Sequence, residues 1–89
     1  MFLAKVRGTV VSTSKDERLV GFKLLVVQRI DIDDSYTGMP QVAVDTVGAG
    51  VGETVIVASG SSARVAARPD SPIDATIVGI VDTVEIGER

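Results

Sequence analysis

The chain contains no cysteine and no histidine in 89 residues. The first absence removes disulfides, thiolate nucleophiles and thiolate metal sites together. The second removes the side chain that titrates near neutral pH and the commonest transition-metal ligand, so acid/base chemistry would fall to a perturbed carboxylate or lysine. Tryptophan is absent and only Phe2, Phe22 and Tyr36 are aromatic, too few for the stacking platforms that hold single-stranded nucleic acid. Positive charge is not in excess either: nine Lys and Arg stand against twelve Asp and Glu, a formal charge of −3. That is the wrong sign for a surface that must attract phosphate. No apolar stretch is long enough to span a bilayer, and Lys5 and Arg7 fall where a signal peptide needs its apolar run. A soluble cytoplasmic protein, with neither nucleic acid nor membrane as partner, is expected.

What the chain does have is aliphatic. Hydrophobic residues make up 45% of it, and with so few rings the core must be built from Val, Ile, Leu and Ala, a composition that favours sheets. A chain of this length buries about 60 to 65% of the surface it exposes when unfolded. That leaves room for one core, so a single domain over residues 1–89 is expected.

Residues 42–64 are the most organised stretch. Val42 and Val44 share one face of a β-branched run, and Val55 and Val57 share one face of a second. Between the runs lies Gly48-Ala49-Gly50-Val51-Gly52, whose alternate glycines can take positive φ or let another backbone come close. Gly60 ends the second run. Ser61 or Ser62 is then expected to accept an N–H at the start of a short helix, which Pro69 limits to two turns.

Three further strands complete the chain. Residues 3–11 alternate, with Ala4, Val6, Gly8 and Val10 on the core face and Lys5, Arg7 and Thr9 opposite. Residues 12–18 are polar and turn-forming. Residues 22–30 alternate poorly: Phe22, Leu24 and Val26 share one face, while Leu25 and Val27 occupy the other. A small barrel has one interior, so the second apolar face points to a neighbouring subunit or a covering helix. A polar hairpin loop follows over residues 31–40. The last strand is read over residues 75–86, with Ile77, Gly79 and Val81 on one face and Val78, Ile80, Val84 and Ile86 on the other. Residues 87–89 are polar and expected to be loose. Four strands, a short helix and a final strand suit a mainly β, five-stranded small barrel better than a sandwich.

The chemical motifs are weak. The glycine loop lacks the G-x-G-x-x-G spacing and the following helix of a dinucleotide fingerprint. It reads either as a plain turn or as a close approach to a copy of the chain or to a symmetry axis. Ser61, Ser62 and Arg64 fit an anion site at a helix N-terminus, an ordinary cap, or a polar lining. Asp31 and Asp33 suggest calcium only superficially, because Tyr36 stands where such a loop needs glycine and Val42 where it needs a bidentate glutamate. Asp45 and Glu53 are the candidate acid/base pair, but no relay accompanies them. No catalytic residue, metal or cofactor is expected, and the chain is not expected to be an enzyme.

Five blocks carry a resemblance. They are Gly8-Thr9-Val10-Val11-Ser12-Thr13-Ser14-Lys15; Leu19-Val20-Gly21-Phe22-Lys23-Leu24-Leu25-Val26-Val27; Val42-Ala43-Val44-Asp45-Thr46-Val47-Gly48-Ala49-Gly50-Val51-Gly52-Glu53; Gly60-Ser61-Ser62-Ala63-Arg64; and Pro72-Ile73-Asp74-Ala75-Thr76-Ile77-Val78-Gly79-Ile80-Val81-Asp82. In this order and spacing they resemble the vertex proteins of bacterial microcompartments. These are the small pentameric shell proteins of carboxysomes and of ethanolamine- and propanediol-utilising compartments. Residues 31–40 depart most from the family pattern.

The resemblance implies an OB-like five-stranded barrel with one short helix before the last strand. It also implies a homopentamer at the five-fold corners of a shell tiled by hexameric and pseudohexameric shell proteins. The work is geometric, since a flat hexamer sheet cannot close without pentamers. Leu25, Val27, Val78 and Ile80 are the expected subunit-packing residues, with Arg64 and Asp74 making polar contacts between subunits or within the last loop. Ser12, Thr13, Gly48, Ala49, Gly50, Ser61 and Ser62 are the expected axial residues. The competing expectation is an OB-like module that binds single-stranded nucleic acid or a small polar ligand.

Overall fold

Five aliphatic runs become five strands: β1 (Phe2–Val10), β2 (Lys23–Arg29), β3 (Gln41–Asp45), β4 (Thr54–Ser59) and β5 (Ala75–Val81). A six-residue helix, α1 (Ser61–Ala66), precedes β5, and a 3-10 turn occupies Glu17–Leu19. The computed structural model describes residues 1–87; Glu88 and Arg89, at the polar end expected to be loose, lie outside the described residues. The sheet closes on itself in the order β1-β2-β3-β5-β4. Neighbours are antiparallel except β3 and β5, which run parallel. This is the strand order of an OB-like barrel.

Side chains of alternate residues fill the barrel. Ala4 and Val6 of β1, Val55 and Val57 of β4 and Ile77 of β5 are buried in one aliphatic core. A second cluster lies outside the barrel wall, where Ala63 of α1 and Ile73 cover Val44 of β3, with Leu19, Phe22 and Leu24 packed alongside. Thr76 joins wall to helix: it is fully buried, and its hydroxyl donates to the Ala63 carbonyl at 2.8 Å.

The register of β2 reverses the expected assignment of its faces. Val27 lies opposite Val6, and directly opposed residues of an antiparallel pair point to the same side. Leu25 and Val27 are therefore inside, both with no exposed surface, and they have nothing left to bury against a subunit. Leu24 and Val26 form the outer row. An apolar strand with two greasy faces has a period but no sign, and only its pairing with β1 supplies one.

β5 also differs from expectation. It ends at Val81, five residues short of Ile86. The cause is its neighbours: β4 begins at Thr54, opposite Val81, and β3 ends at Asp45, opposite Ile77. A bulge adds a second change. Val57 pairs with Ile77 and Ile56 with Gly79, so Val78 is the extra residue. Gly79 then faces outward beside Ile56, where an added Cβ would sit 3.4 Å from its Cδ1. Ile80 instead pairs with Val55, a core residue. Val78 and Ile80 thus do not share one outer row.

The hairpin loop over residues 31–40 is exposed but pinned to β1. Lys5 Nζ meets Asp34 Oδ2 at 3.1 Å, and the Arg7 guanidinium lies 4.6 Å from the centre of the Tyr36 ring. Gln28 is buried beneath this loop and donates to the carbonyls of Thr37 and Gly38. The 3-10 turn was not anticipated from the polar run before it. Asp16 builds it by accepting from the Arg18 N–H and gripping the Arg18 guanidinium.

Candidate functional site

The glycine loop after β3 is the most elaborately held surface feature. β3 ends on Asp45, whose side chain is 2% exposed. One carboxylate oxygen, Oδ1, accepts from the N–H groups of Val47 and Gly48 at 3.1 and 3.2 Å. The other, Oδ2, accepts from the Ala49 N–H at 2.8 Å. Glu53 Oε1 takes the Gly50 N–H at 2.6 Å. Two further bonds tie the loop to β1, Gly52 N–H to the Val6 carbonyl and Val6 N–H to the Glu53 carbonyl. Lys23, at the start of β2, donates to the Ala49 carbonyl at 2.8 Å and stands 3.9 Å from the Asp45 carboxylate.

These bonds explain the glycines. Gly48 and Gly52 have φ of 83° and 92°, a region that costs other residues roughly 1–2 kcal/mol. At Gly50 an added Cβ would lie 3.3 Å from Glu53 Oε1, so the carboxylate would have to give by a few tenths of an ångström. Within the single chain, the nearest neighbour of Gly50 is its own Glu53 carboxylate. Ala49 is fully buried in the barrel core, so its methyl plugs the barrel and does not line an axial opening. Val51, 64% exposed, is what the loop presents outward. With both Asp45 oxygens and one of Glu53 occupied by amides, the arrangement fixes a shape and leaves no buried base free to move a proton.

The other nominated residues lie elsewhere. Ser61 and Ser62 open α1 at the far end of β4, and the helix is capped by Gly60 with no side-chain hydrogen bond. Gly60, at φ 62° and ψ −138°, takes the cap position itself, which leaves both serines exposed to solvent. Arg64 Nη1 donates to the Ile73 carbonyl at 3.1 Å, a contact with the last loop of its own chain. Asp74 engages through its backbone, its carbonyl accepting from the Gly60 N–H. Ser12 Oγ donates to the Ser14 carbonyl, and Thr13 is exposed. Val78 is half-buried and Ile80 is 38% exposed.

Lys23 was missed by sequence reasoning, as was the stapling role of Asp45 and Glu53. The signal was present. An aspartate followed at once by turn residues caps their N–H groups, and a glutamate three residues after a turn glycine can reach back to its N–H in the manner of a capping box.

The aromatic rings are all occupied from within. Arg7 lies over Tyr36, Arg29 over Phe2 at 4.9 Å, and Arg68 over Phe22 at 5.4 Å. Each guanidinium closes one face of its ring to base stacking, while Tyr36 remains 51% exposed. Among the described residues no group of three or more Asp or Glu side chains is placed to hold a metal ion, and no helix is long and apolar enough to cross a membrane.

Barrel and stapled loop together define a small OB-like barrel protein whose most developed feature is a shaped surface. The family described as ethanolamine utilisation protein EutN/carboxysome matches residues 1–82, and the chain belongs to that family. It is 63% identical over 86 residues to the bacterial microcompartment shell vertex protein GrpN of Rhodospirillum rubrum (strain F11), covering 96% of this chain and 97% of that one. To the shell vertex protein PduN of Salmonella typhimurium (strain LT2) it is 52% identical over 89 residues, covering 94% and 98%. The solved GrpN pentameric microcompartment shell protein from Rhodospirillum rubrum superposes with a TM-score of 0.88 at 60% identity, over 99% of this chain and 100% of the other.

Proposed function

We infer that this chain is a structural vertex protein of a bacterial microcompartment shell, acting as one vertex domain over residues 1–89. Five copies close into a ring that caps a five-fold corner, and the shell lies in the cytoplasm. The observation that carries this reading is similarity along the whole chain, in sequence and in backbone, to proteins named as shell vertex or pentameric shell proteins. The work is geometric and not catalytic, in keeping with carboxylates that are committed to holding a loop.

The partners in the shell are hexameric and pseudohexameric shell proteins, whose flat layer needs pentamers to turn its corners. A closed ring uses two different patches of one subunit, each meeting the other patch on its neighbour. Val26 and Val42, outside β2 and β3, and Leu3 and Ile56, outside β1 and β4, provide apolar rows on separate sides of the barrel.

Co-expression tests the function. Hexamer-forming shell proteins made together with this chain are expected to give closed polyhedra in electron micrographs, and without it open sheets or tubes. Closed, cornered shells formed equally well in its absence would contradict the reading.

A further inference from the structure

Among the described residues, the last β-patterned ones have no ladder partner in their own barrel, and Val84 borders a cavity lined by Leu3, Ile30 and Thr54. Val84 and Ile86 continue the alternating pattern of β5 with Glu85 between them, so an extended backbone would place both on one side. Ladder pairing nonetheless stops at Val81, and Val84 and Ile86 are 46% and 59% exposed. A segment of high β propensity whose two aliphatic side chains are about half exposed has the form of a donor arm.

An acceptor of matching character exists elsewhere on the surface. A groove of about 200 Å³ lies outside β2 and β3, with Leu24, Val42, Val44, Pro72 and Ile73 among its lining residues. Val42, at its edge, is 47% exposed. The arm cannot easily reach its own groove. The groove borders the beginning of β5, at Ala75, whereas the arm leaves from the end of β5, and seven residues of strand separate the two by about 20 Å.

We propose that residues 83–87 form an arm that a second copy of the chain receives in the groove beside its Val42. The arm presupposes the ring of five inferred above, and it supplies what such a ring requires: a donor surface and a different acceptor surface on every subunit. The second copy is favoured over another protein because donor and acceptor are both apolar and both present once per chain. Five arms then fill five grooves with none left over.

The absence of native cysteine makes the test direct. Chains carrying Val42→Cys and Ile86→Cys are prepared separately, mixed, reassembled and oxidised. A disulfide-linked dimer is expected in the mixture and not in either variant alone. A chain carrying both substitutions is expected to give a ladder reaching five linked copies, lost on reduction. Native mass is read on the same samples. Five-copy rings in which the two cysteines do not link, or in which the doubly substituted chain links only within itself, overturn the arm and leave the ring standing. A monomer overturns both. As a second measurement, Val84→Ser/Ile86→Ser is expected to lose the five-copy species at concentrations where the parent is fully assembled, with its β circular dichroism unchanged. A ring that survives the double substitution would also count against the arm.

Discussion

Asp45 Oδ2 accepts the Ala49 N–H at 2.8 Å, and in doing so pins a methyl group into the end of the barrel. The bond spans four residues of a glycine-rich turn that could otherwise take many conformations. It converts that turn into a fixed surface joined to the core. Asp45→Asn keeps the size of the side chain but replaces one of two accepting oxygens with a donor, which leaves an N–H of the turn without its acceptor. Hydrogen bonds to charged groups are worth about 1.5–3 kcal/mol, and a loss of that order is expected in urea unfolding. A change within a few tenths of a kcal/mol would mean that the staple is ornamental.

Glycine at position 50 can be tested separately from glycine at 48. Gly50→Ala should shift the Glu53 carboxylate by a few tenths of an ångström and weaken its bond to the Gly50 N–H, because the new Cβ arrives at 3.3 Å. Combining it with Glu53→Gln should then cost less than the sum of the two single changes, the mark of residues in direct contact. Gly48→Ala has open space around it but φ of 83°, and should cost about 1 kcal/mol whatever stands at 53. Strict additivity at 50 and 53 would remove the contact from the explanation.

Leu25 and Val42 separate stability from assembly. Leu25 is fully buried in the barrel, so Leu25→Ala is expected to cost about 2–5 kcal/mol. Val42 is 47% exposed in the single chain, so Val42→Ala should change the stability of the isolated barrel by about 0.5 kcal/mol or less while weakening the association of copies. Chemical denaturation at low concentration, beside sedimentation at high concentration, distinguishes the two. Equal effects of Val42→Ala on both would contradict the assignment.

Acid should act on the 3-10 turn through Asp16. Its carboxyl is held at about 2, against an ordinary 3.8, first by the side chain of Arg18 and next by the Arg18 N–H. The folded value lies below the unfolded one, so the stabilisation is complete above about pH 4 and is lost as pH falls through about 2. Asp16→Asn should therefore differ from the parent at pH 6 and converge on it near pH 2. Unfolding curves at the two pH values measure this, and a gap that persists undiminished at low pH would contradict it.

Much of the fold was legible in the residues, for physical reasons. Five β-branched runs punctuated by glycine, with Pro69 cutting the helix short, left few architectures open to so small an aliphatic chain. The faces of β2 were not legible, because Leu24, Leu25, Val26 and Val27 are all apolar and the choice between them is made by a pairing twenty residues away with Val6. The end of β5 was hidden for a similar reason: Val84 and Ile86 have the right pattern, but the strands that would pair with them start or stop elsewhere. In the loop, the glycines drew attention to themselves. Of the groups that fix them, Asp45 and Glu53 stand out in the sequence only as an acid/base pair without a relay, and Lys23 carries no signal of its own. A bulge at Val78 is a local event with no signature in a sequence of alternating aliphatics, and it set Gly79 opposite Ile56 and Ile80 opposite Val55.

Closing into a ring is the property on which the proposed work depends, and the mass of the intact assembly reports it most directly. Native mass spectrometry across micromolar concentrations is expected to give one dominant species of five chains. A monomer that persists over the whole range, or a closed assembly of any other number, would contradict the vertex role.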